Sequence, residues 1–355
     1  MDDSARLGDQ IRAVDGGGSH AGLRIRGGGS KDFYGQAPQG ELLDTRAHAG
    51  IVAYEPTELV ITARCGTPLA EIEAVLAQHG QMFAFEPPHF GSGATLGGAV
   101  AAGLSGPRRA SAGALRDFVL GVKLMDGRGE QLAFGGQVMK NVAGYDVSRL
   151  MSGSLGTLGV ILEASLKTQP LPASELTLQL EMPQARAIES LNHWAGRPLP
   201  ISATAWNDGE LCVRLSGARA AVGAAAENLG GERLDQQQAL QFWRGIREHG
   251  DAFFSSDKAL WRLSLPSNTP PLDLPGEQLI EWGGALRWLA SNAAAHSIRA
   301  AAANAHGHAT LFRGGDKAAG VFHPLSAPLM KLHRRLKQSF DPRGVFNRGR
   351  MYAEF

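Results

Sequence analysis

The sequence predicts an α+β protein of about two domains, and three observations lead to this class. The chain has 355 residues, room for roughly two domains of ordinary size. Its 46 glycines lie in separate clusters with no repeating period, which indicates many loops defined by their backbone. From Ile51 onward, strand-like alternation and helix-like periodicity follow one another, as they do where helices pack on a sheet.

The bulk composition limits the possible functions. The formal net charge is +1, so no overall positive field would attract nucleic acid, and the basic C-terminal stretch is interpreted as a solvated helix face. Cys65 and Cys212 are the only cysteines, which excludes a disulfide framework and an iron–sulfur cluster bound by this chain alone. The acidic N-terminus is unlike a signal peptide and no apolar run is long enough to span a bilayer. We therefore expect a cytoplasmic protein with only indirect membrane contact.

The stretch from Gly22 to Asp32 contains a predicted strand followed by three glycines, a serine and a lysine. A loop without Cβ atoms can turn successive N–H groups toward one anion, and Ser30 and Lys31 would add a hydroxyl and a charge. The spacing fits neither the P-loop nor the G-x-G-x-x-G pattern. Taken alone, the loop allows two interpretations, an anion-binding site or a flexible turn.

A helix-and-strand succession follows this loop. Residues 59 to 64 read as a strand, and Thr67 with the proline after it is expected to start a helix that Gly80 closes. Residues 82 to 85 read as the next strand. We therefore expect a β-α-β unit in a mixed sheet that includes the strand at Leu23.

The next segments alternate in the same way. The glycine and alanine run from Gly93 to Gly103 predicts a helix capped by Thr95, whose small residues suit either a flavin or phosphate contact or close helix packing. Residues 117 to 125 and 131 to 134 predict a hairpin. The glycine cluster that begins at residue 153 leads into a strand over residues 160 to 166.

Pro170 marks a boundary, beyond which a β-α-β-β-α order predicts helices on one face of an antiparallel sheet. These elements are expected at residues 176–182, 184–195, 201–215 (a hairpin) and 218–229. Further strands are expected near residues 260–265, 279–282 and 310–312, and a helix over 328–340 should end at Asp341-Pro342.

The order in which the glycine clusters follow one another resembles the order in a known family, and this order is stronger evidence for the family than any single cluster. The segments Arg26–Lys31, Pro87–Pro88, Ala94–Gly98, Asn141–Asp146 and Gly153–Ile161 are similar to those of FAD-binding domains of the vanillyl-alcohol oxidase type, also called PCMH-type. Within this family the chain resembles the FAD-binding E subunits of bacterial glycolate oxidases. The segments that carry this closer resemblance are Gly106–Arg109, Met139–Met151, His306–Arg313 and Gly349–Phe355, whereas Asp341–Arg350 looks like the tail of the wider family.

The resemblance implies a domain organisation. A two-part PCMH-type FAD-binding domain would occupy residues 1–170, and a smaller ferredoxin-like α+β cap domain residues 171–315. Residues 316–355 would form a C-terminal segment that packs back on the FAD domain.

The resemblance also implies a function. The chain would be an FAD-dependent oxidoreductase subunit acting on the CH–OH group of 2-hydroxy acids, within a glycolate oxidase that converts glycolate to glyoxylate. The implied partners are a homologous FAD-binding D subunit and an iron–sulfur F subunit that accepts the electrons.

The implied FAD contacts fall into four groups. The pyrophosphate would lie on Arg26, Gly27, Gly28, Gly29, Ser30 and Lys31. The ribityl chain and the isoalloxazine edge would lie along Pro88, Ala94, Thr95, Leu96, Gly97 and Gly98, and the ring would lie near Ser105 and Gly106. The adenine end would contact Gly156, Gly159, Val160 and Ile161. Relatives that bind flavin covalently have a histidine or cysteine in the first loop, where this chain has Ser30 and Lys31. Non-covalent FAD is therefore expected, and Cys65 is interpreted as a core residue.

The catalytic residues are left open by the sequence. A substrate carboxylate favours an arginine, for which the candidates are Arg108, Arg109, Arg287, Arg313 and Arg350. His306 and His308 are candidates for the base, and at i and i+2 they would share one face of a strand. The Glu-His pair with which related enzymes complete a metal site is missing, so no metal is expected.

Three functions remain open at this point, and a nucleic-acid binder is a distant fourth that rests only on the basic C-terminus. The chain could be a subunit whose FAD relays electrons or is chiefly structural. It could be a self-sufficient 2-hydroxy-acid dehydrogenase of the D-lactate type. It could also be an assembly subunit whose flavin site has decayed, although the intact glycines argue against decay.

Overall fold

The computed structural model describes residues 2–14, 22–136 and 146–355. The helices are α1 (Ser4–Ala13), α2 (Leu69–Gln78), α3 (Leu96–Ala102), α4 (Arg109–Ala112), α5 (Leu115–Phe118), α6 (Val147–Leu150), α7 (Gln184–Ala195), α8 (Arg219–Leu229), α9 (Gln236–Glu248), α10 (Ala295–Asn304) and α11 (Ala327–Phe340). Helices take 32% and strands 27% of the chain, which confirms the predicted mixed class. In the part of the chain that is described, no helix is long and apolar enough to cross a bilayer.

The strands are β1 (Leu23–Arg26), β2 (Glu41–Asp44), β3 (Ile51–Glu55), β4 (Val60–Arg64), β5 (Gln81–Met82), β6 (Val119–Met125), β7 (Gln131–Gly135), β8 (Val160–Lys167), β9 (Gln169–Pro170), β10 (Ser174–Glu181), β11 (Ile201–Asn207), β12 (Glu210–Gly217), β13 (Glu232–Arg233), β14 (Leu260–Ser264), β15 (Glu277–Glu281), β16 (Leu286–Ala290) and β17 (His308–Arg313).

Contacts divide the chain into two compact units. The first comprises Met1–Leu104, Ala114–Pro170 and Pro324–Phe355, and the second comprises Ser105–Gly113 and Leu171–His323. The domain boundaries at residues 170 and 315 that the resemblance implies stay a prediction.

The first unit is built on a five-stranded antiparallel sheet of order β3-β4-β8-β6-β7. The central strand β8 is buried from Val160 to Leu166, on both faces, and its sequence there is apolar or small except for Glu163, which pairs with Lys123 at 2.7 Å. The predicted hairpin of β6 and β7 is confirmed. Asp126 shapes its turn by accepting the N–H groups of Arg128 and Glu130 at 2.8 and 3.0 Å.

Three expectations for this unit are wrong. The strand at Leu23 pairs in parallel with β2 rather than joining the five-stranded sheet. The strand expected over residues 82–85 is only Gln81–Met82, and it pairs with β9 instead of β4, so the β-α-β unit does not form. Thr67 does not cap α2, because its hydroxyl bonds both the N–H and the C=O of Gly50, at 2.9 and 3.2 Å, and Pro68 occupies the N-cap position.

The second unit contains an eight-stranded sheet of order β13-β10-β12-β11-β15-β16-β14-β17. Its first part follows the β-α-β-β-α-β succession from β10 to β13. Helices α7 and α8 bury apolar side chains such as Leu191 and Val222 against β12 residues such as Val213. Further along the sheet, α10 packs through Ile298 on Trp261. The strand β16 and the helices α9 and α10 were not anticipated from the sequence.

A histidine closes α9 in an unusual environment. His249 is in the left-handed region, with φ 54°, and its ring stacks on Phe254 at 3.9 Å between centroids. The rings of Trp288 and Phe312 lie at 4.6 and 5.2 Å. Burial is the main reason why the pKa of His249 is held well below its ordinary value, and Arg313 and Arg262 lower it further. The imidazole is therefore neutral in the folded protein at neutral pH.

This burial predicts acid sensitivity of the fold. Below about pH 6.5 the unfolded chain binds a proton at His249 that the folded chain does not, so this residue lowers the free energy of unfolding by about 1.4 kcal/mol per pH unit until the folded pKa is reached. Above about pH 6.5 it contributes no pH dependence. Urea unfolding between pH 5.5 and 7.5 should show a shallower pH slope in His249→Asn, which keeps a residue tolerant of left-handed backbone. Equal slopes in the two proteins would contradict this assignment.

Candidate functional site

Two adjoining clefts of the first unit bring most of the predicted FAD contacts together. Six of the residues that line the first cleft, among them Ile25, Gly98 and Leu155, also line the second. We call the combined feature the glycine groove. Its lining includes the predicted residues Arg26, Gly27, Gly28, Gly29, Ser30, Lys31, Thr95, Gly97, Gly98, Gly156, Gly159, Val160 and Ile161.

The other predicted contacts lie elsewhere. Ala94 and Leu96 are buried, and the carbonyl of Ala94 accepts the N–H of Leu69 at 2.9 Å. Pro88 is buried and is not among the lining residues of the groove. Ser105 and Gly106 belong to the second unit. These five contacts stay predictions, and the segments Gly16–Gly18 and 139–145 lie outside the described residues.

The glycines of the groove are needed first for packing of one loop on another. A Cβ on Gly28 would lie 1.4 Å from the carbonyl oxygen of Gly93, and one on Gly97 would lie 2.6 Å from Cβ of Cys65. Real Cβ atoms do not approach so closely, so both positions exclude any other residue. Ligand approach is therefore not the sole reason for these glycines, because the loops themselves meet backbone to backbone.

Thr95 confirms its predicted role at the start of α3. Its hydroxyl oxygen accepts the N–H of Gly98 at 3.3 Å, which satisfies one donor of the first turn. The helix ends at Gly103 in the left-handed conformation, with φ 63°. Gly98 and Ala101 face the groove, while Gly97 faces Cys65, so this helix serves both interpretations, ligand contact and close packing.

Positive charge is concentrated along the groove. Arg26 pairs with Asp32 at 2.7 Å, and both side chains are about 40% exposed. The Lys31 ammonium donates to the carbonyl of His89 at 3.2 Å. Arg24 was not singled out from the sequence, yet its buried Nε finds no hydrogen-bond acceptor in the described part of the chain. A buried N–H without a partner is costly, so the residues present suit an anionic group such as a diphosphate.

The C-terminal tail supplies another wall of the groove. Asn347 accepts the N–H of Ile25 at 2.8 Å and donates to the carbonyl of Leu155 at 2.6 Å, so it joins β1 to the loop that precedes β8. Arg350 is buried and donates to backbone carbonyls, including that of Asp32 at 3.1 Å. Burial lowers the pKa of Arg350. The tail motif of the resemblance pointed to both residues, and Arg350 was also a candidate for the substrate carboxylate.

A buried ion pair holds this tail in place. The Lys337 ammonium donates to the carbonyl of Thr157 at 2.7 Å, to that of Phe346 at 2.8 Å, and to the Asp341 carboxylate at 2.7 Å. Asp341 also accepts the N–H groups of Val345 and Phe346 at 2.9 and 2.8 Å. Burial lowers the pKa of Lys337, although Asp341 opposes the shift.

The candidate arginines of the second unit differ in their partners. Arg108 pairs with Glu175 at 2.6 Å. Arg287 is 1% exposed and donates to the carbonyl of Pro270 at 2.7 Å, and burial lowers its pKa to about 10. Arg109 lies 4.4 Å from the ring centre of Trp282.

Two further arginines complete this set. Burial lowers the pKa of Arg313. Arg262, which sequence reasoning missed, lies 5.2 Å from the ring centre of Trp282 and forms no ion pair with any described residue. Its position in the predicted strand at residues 260–265 was available, but no signal in the sequence distinguished it.

The candidate histidines do not form the expected pair. His306 lies in a turn with φ 57°, before β17 begins at His308, so the two rings do not share a strand face. Burial, followed by Arg262 and His323, lowers the pKa of His308. Within the described ranges, no three metal-ligating side chains come together.

Comparison with known proteins agrees with this geometry. A family model described as an FAD binding domain matches residues 18–135. The fold is similar to that of alkyldihydroxyacetonephosphate synthase, with a TM-score of 0.64 and 14% identity, over 92% of this chain and 72% of that chain. At this identity the likeness is evidence for the fold alone. The fold, the groove and the family model together define an FAD-binding protein of the PCMH type.

Three similar proteins indicate which family within this class the chain belongs to. Glycolate oxidase subunit GlcE of Escherichia coli (strain K12) is 55% identical over 94% of this chain and 93% of its own length. Glycolate oxidase subunit GlcD of Bacillus subtilis (strain 168) is 31% identical over 43% of this chain and 33% of its own length. The mitochondrial cytochrome-type D-lactate dehydrogenase of Arabidopsis thaliana is 30% identical over 45% of this chain and 28% of its own length. The chain belongs to the family of the glycolate oxidase subunit GlcE, and its cofactor is FAD.

The first prediction for the site concerns Gly28. In Gly28→Ala the new methyl group collides with the carbonyl of Gly93, which should cost about 1 to 3 kcal/mol of unfolding free energy and lower the flavin content of the purified chain. Gly223→Ala is the control, because a Cβ there meets nothing within 4 Å. Flavin absorbance per chain and urea unfolding measure both effects. Identical values for the two variants would contradict the packing role.

The second prediction concerns the buried ion pair. Lys337→Met leaves the Asp341 carboxylate buried without its cation, so the free energy of unfolding should fall by about 3 to 5 kcal/mol. Lys331→Met, on the exposed side of the same helix, should change it by less than about 0.5 kcal/mol. Urea unfolding compares the two variants. A Lys337→Met protein as stable as the Lys331→Met protein would refute the structural role of the pair.

Proposed function

We propose that this chain is the FAD-binding subunit of a multi-subunit glycolate oxidase that oxidises glycolate to glyoxylate. The observation that carries the proposal is the 55% identity to a glycolate oxidase subunit over 94% of the chain. The groove supports it, because a cationic, glycine-lined cleft suits the diphosphate and flat rings of FAD.

Within the groove we propose how the chain holds FAD. The backbone of Gly27–Lys31, with Arg24 and Lys31, binds the pyrophosphate, and Gly156 to Ile161 meet the adenine end. When bound, FAD supplies the acceptor for the hydride that leaves C2 of the acid. We infer non-covalent binding, because no histidine lines the described groove and burial raises the pKa of Cys65, the cysteine in its wall, to about 12.

The electrons need an acceptor outside the chain. Cys65 and Cys212 are both buried, with pKa values raised to about 12 by burial, and two cysteines cannot ligate a cluster. We propose that an iron–sulfur F subunit accepts the electrons and that a homologous FAD-binding D subunit completes the enzyme. The assembly would be cytoplasmic, with any membrane contact made through its other subunits.

For the substrate carboxylate we propose three arginines of the second unit, Arg109, Arg262 and Arg313, of which the first two lie against the ring of Trp282. Arg108 and Arg287 are weaker candidates, because Glu175 and backbone carbonyls already accept their donors. His308 remains the candidate base, since its lowered pKa keeps the imidazole neutral near pH 7.

A second function is favoured by one observation, the similarity to a D-lactate dehydrogenase over 162 residues. In that case the chain would oxidise a 2-hydroxy acid by itself and pass electrons directly to a soluble acceptor. A purely structural role for the flavin is the remaining alternative, in which the bound FAD would respond to no acid.

Spectroscopy separates these functions. We expect the purified chain to show flavin absorption bands, and the flavin to stay in the supernatant after acid precipitation, as non-covalent binding requires. Anaerobic glycolate should bleach the flavin only when the partner subunits are present. Bleaching of the isolated chain by D-lactate would favour the stand-alone dehydrogenase, and a chain that neither contains nor takes up FAD would refute the cofactor assignment.

A further inference from the structure

Helix α11 leaves much of its surface exposed, and Met330, His333, Leu336 and Phe340 are only half-buried. Of its 14 residues, Lys337 alone is buried. Leu329 and Leu332 are 48% and 50% exposed, although leucine normally contributes to a core. One turn apart, at i and i+3, these two leucines lie on the same side of the helix.

The charged residues on the exposed surface of α11 are all cations. Lys331, Arg334 and Arg335 are exposed, and the helix contains no acidic residue. None of the three forms an ion pair within the described ranges of the chain. Their spacing at i, i+3 and i+4 places like charges side by side, which destabilises a helix.

The cations and the leucines form one continuous surface. Arg335 lies one turn from Leu332, at i+3, so the apolar side borders the charged side. The helix cannot rotate to bury the leucines, because Lys337 is held by Thr157, Asp341 and Phe346. The surface is therefore rigid and available before any partner binds, which lowers the entropic cost of association.

We propose that this surface of α11 docks into an acidic, apolar-lined groove on another protein subunit. The inference rests on the proposed function, since it names the surface through which the chain joins its complex. Carboxylates of the partner would pair with the guanidinium groups of Arg334 and Arg335 and relieve the repulsion with Lys331, while the leucines enter the groove.

The side chains favour a protein over a membrane. A helix that lies in a bilayer interface inserts a broad apolar face that usually includes tryptophan or phenylalanine. The large apolar residues that α11 exposes are two leucines. Its one aromatic residue besides His333 is Phe340, which is partly buried against Phe134. Two leucines beside three cations match the small apolar centre and charged rim of a protein interface more closely.

The test reverses the charges in the intact assembly. The variant Lys331→Glu/Arg334→Glu/Arg335→Glu is co-expressed with the partner subunits of the glycolate oxidase, and so is Leu329→Ser/Leu332→Ser. The control Arg219→Glu/Arg233→Glu/Arg244→Glu reverses the same number of exposed cations in the second unit. Flavin content and unfolding midpoint verify that each variant is folded.

We expect the two α11 variants to bind the partner subunits at least about tenfold more weakly than the wild type does. The affinity of the wild type for these subunits should fall as the salt concentration rises. The control should bind as the wild type does. Assembly of the α11 variants at wild-type affinity would overturn the docking surface and leave the proposed function intact, whereas a wild-type chain that never assembles would overturn both. Charge-dependent sedimentation with phosphatidylglycerol vesicles, together with unchanged assembly, would assign the surface to a membrane and overturn the inference.

Discussion

The ion pair between Lys337 and Asp341 is the interaction on which the shape of the FAD site depends. Taking two charges out of water costs more than their attraction returns unless the remaining donors and acceptors are satisfied. Here each ammonium proton has an oxygen acceptor, and the carboxylate receives two backbone N–H groups as well. The pair thereby connects the last helix, the tail at Phe346 and the loop at Thr157. Asn347, next in the chain, extends the connection to β1.

The glycines of the groove allow the loops of the first unit to pack on one another. The first loop and the segment at Gly93 meet so closely that Gly28 has no space for a methyl group, and Gly97 has none beside Cys65. The groove is the space that remains once these loops have packed on one another. A glycine in this unit can therefore be essential for FAD binding without touching FAD, because it sets the position of the backbone that does.

The second unit shows why residue type alone does not identify a catalytic group. Four of the five candidate arginines lie in this unit and were equally good in the sequence, yet Arg287 is a buried structural residue and Arg108 is held by Glu175. Arg262 was overlooked, although it stacks on the same tryptophan as Arg109. Likewise, His306 and His308 are two residues apart but are separated by the end of a turn.

The sequence by itself determined the mixed fold class, the family and the elements whose signals are local. The helix predicted over residues 184–195 is Gln184–Ala195, and the hairpin of β6 and β7 follows from Asp126 and the glycine after it. Tertiary structure alone decided which strand pairs with β1, why Thr67 bonds Gly50 instead of capping a helix, and that a lysine of an exposed helix is buried. Periodicity and turn chemistry are energies between near neighbours, and they can be read from the chain. The hydrogen bond from Lys337 to Thr157 joins residues 180 positions apart, and no local pattern encodes which distant oxygen will accept the hydrogen bond.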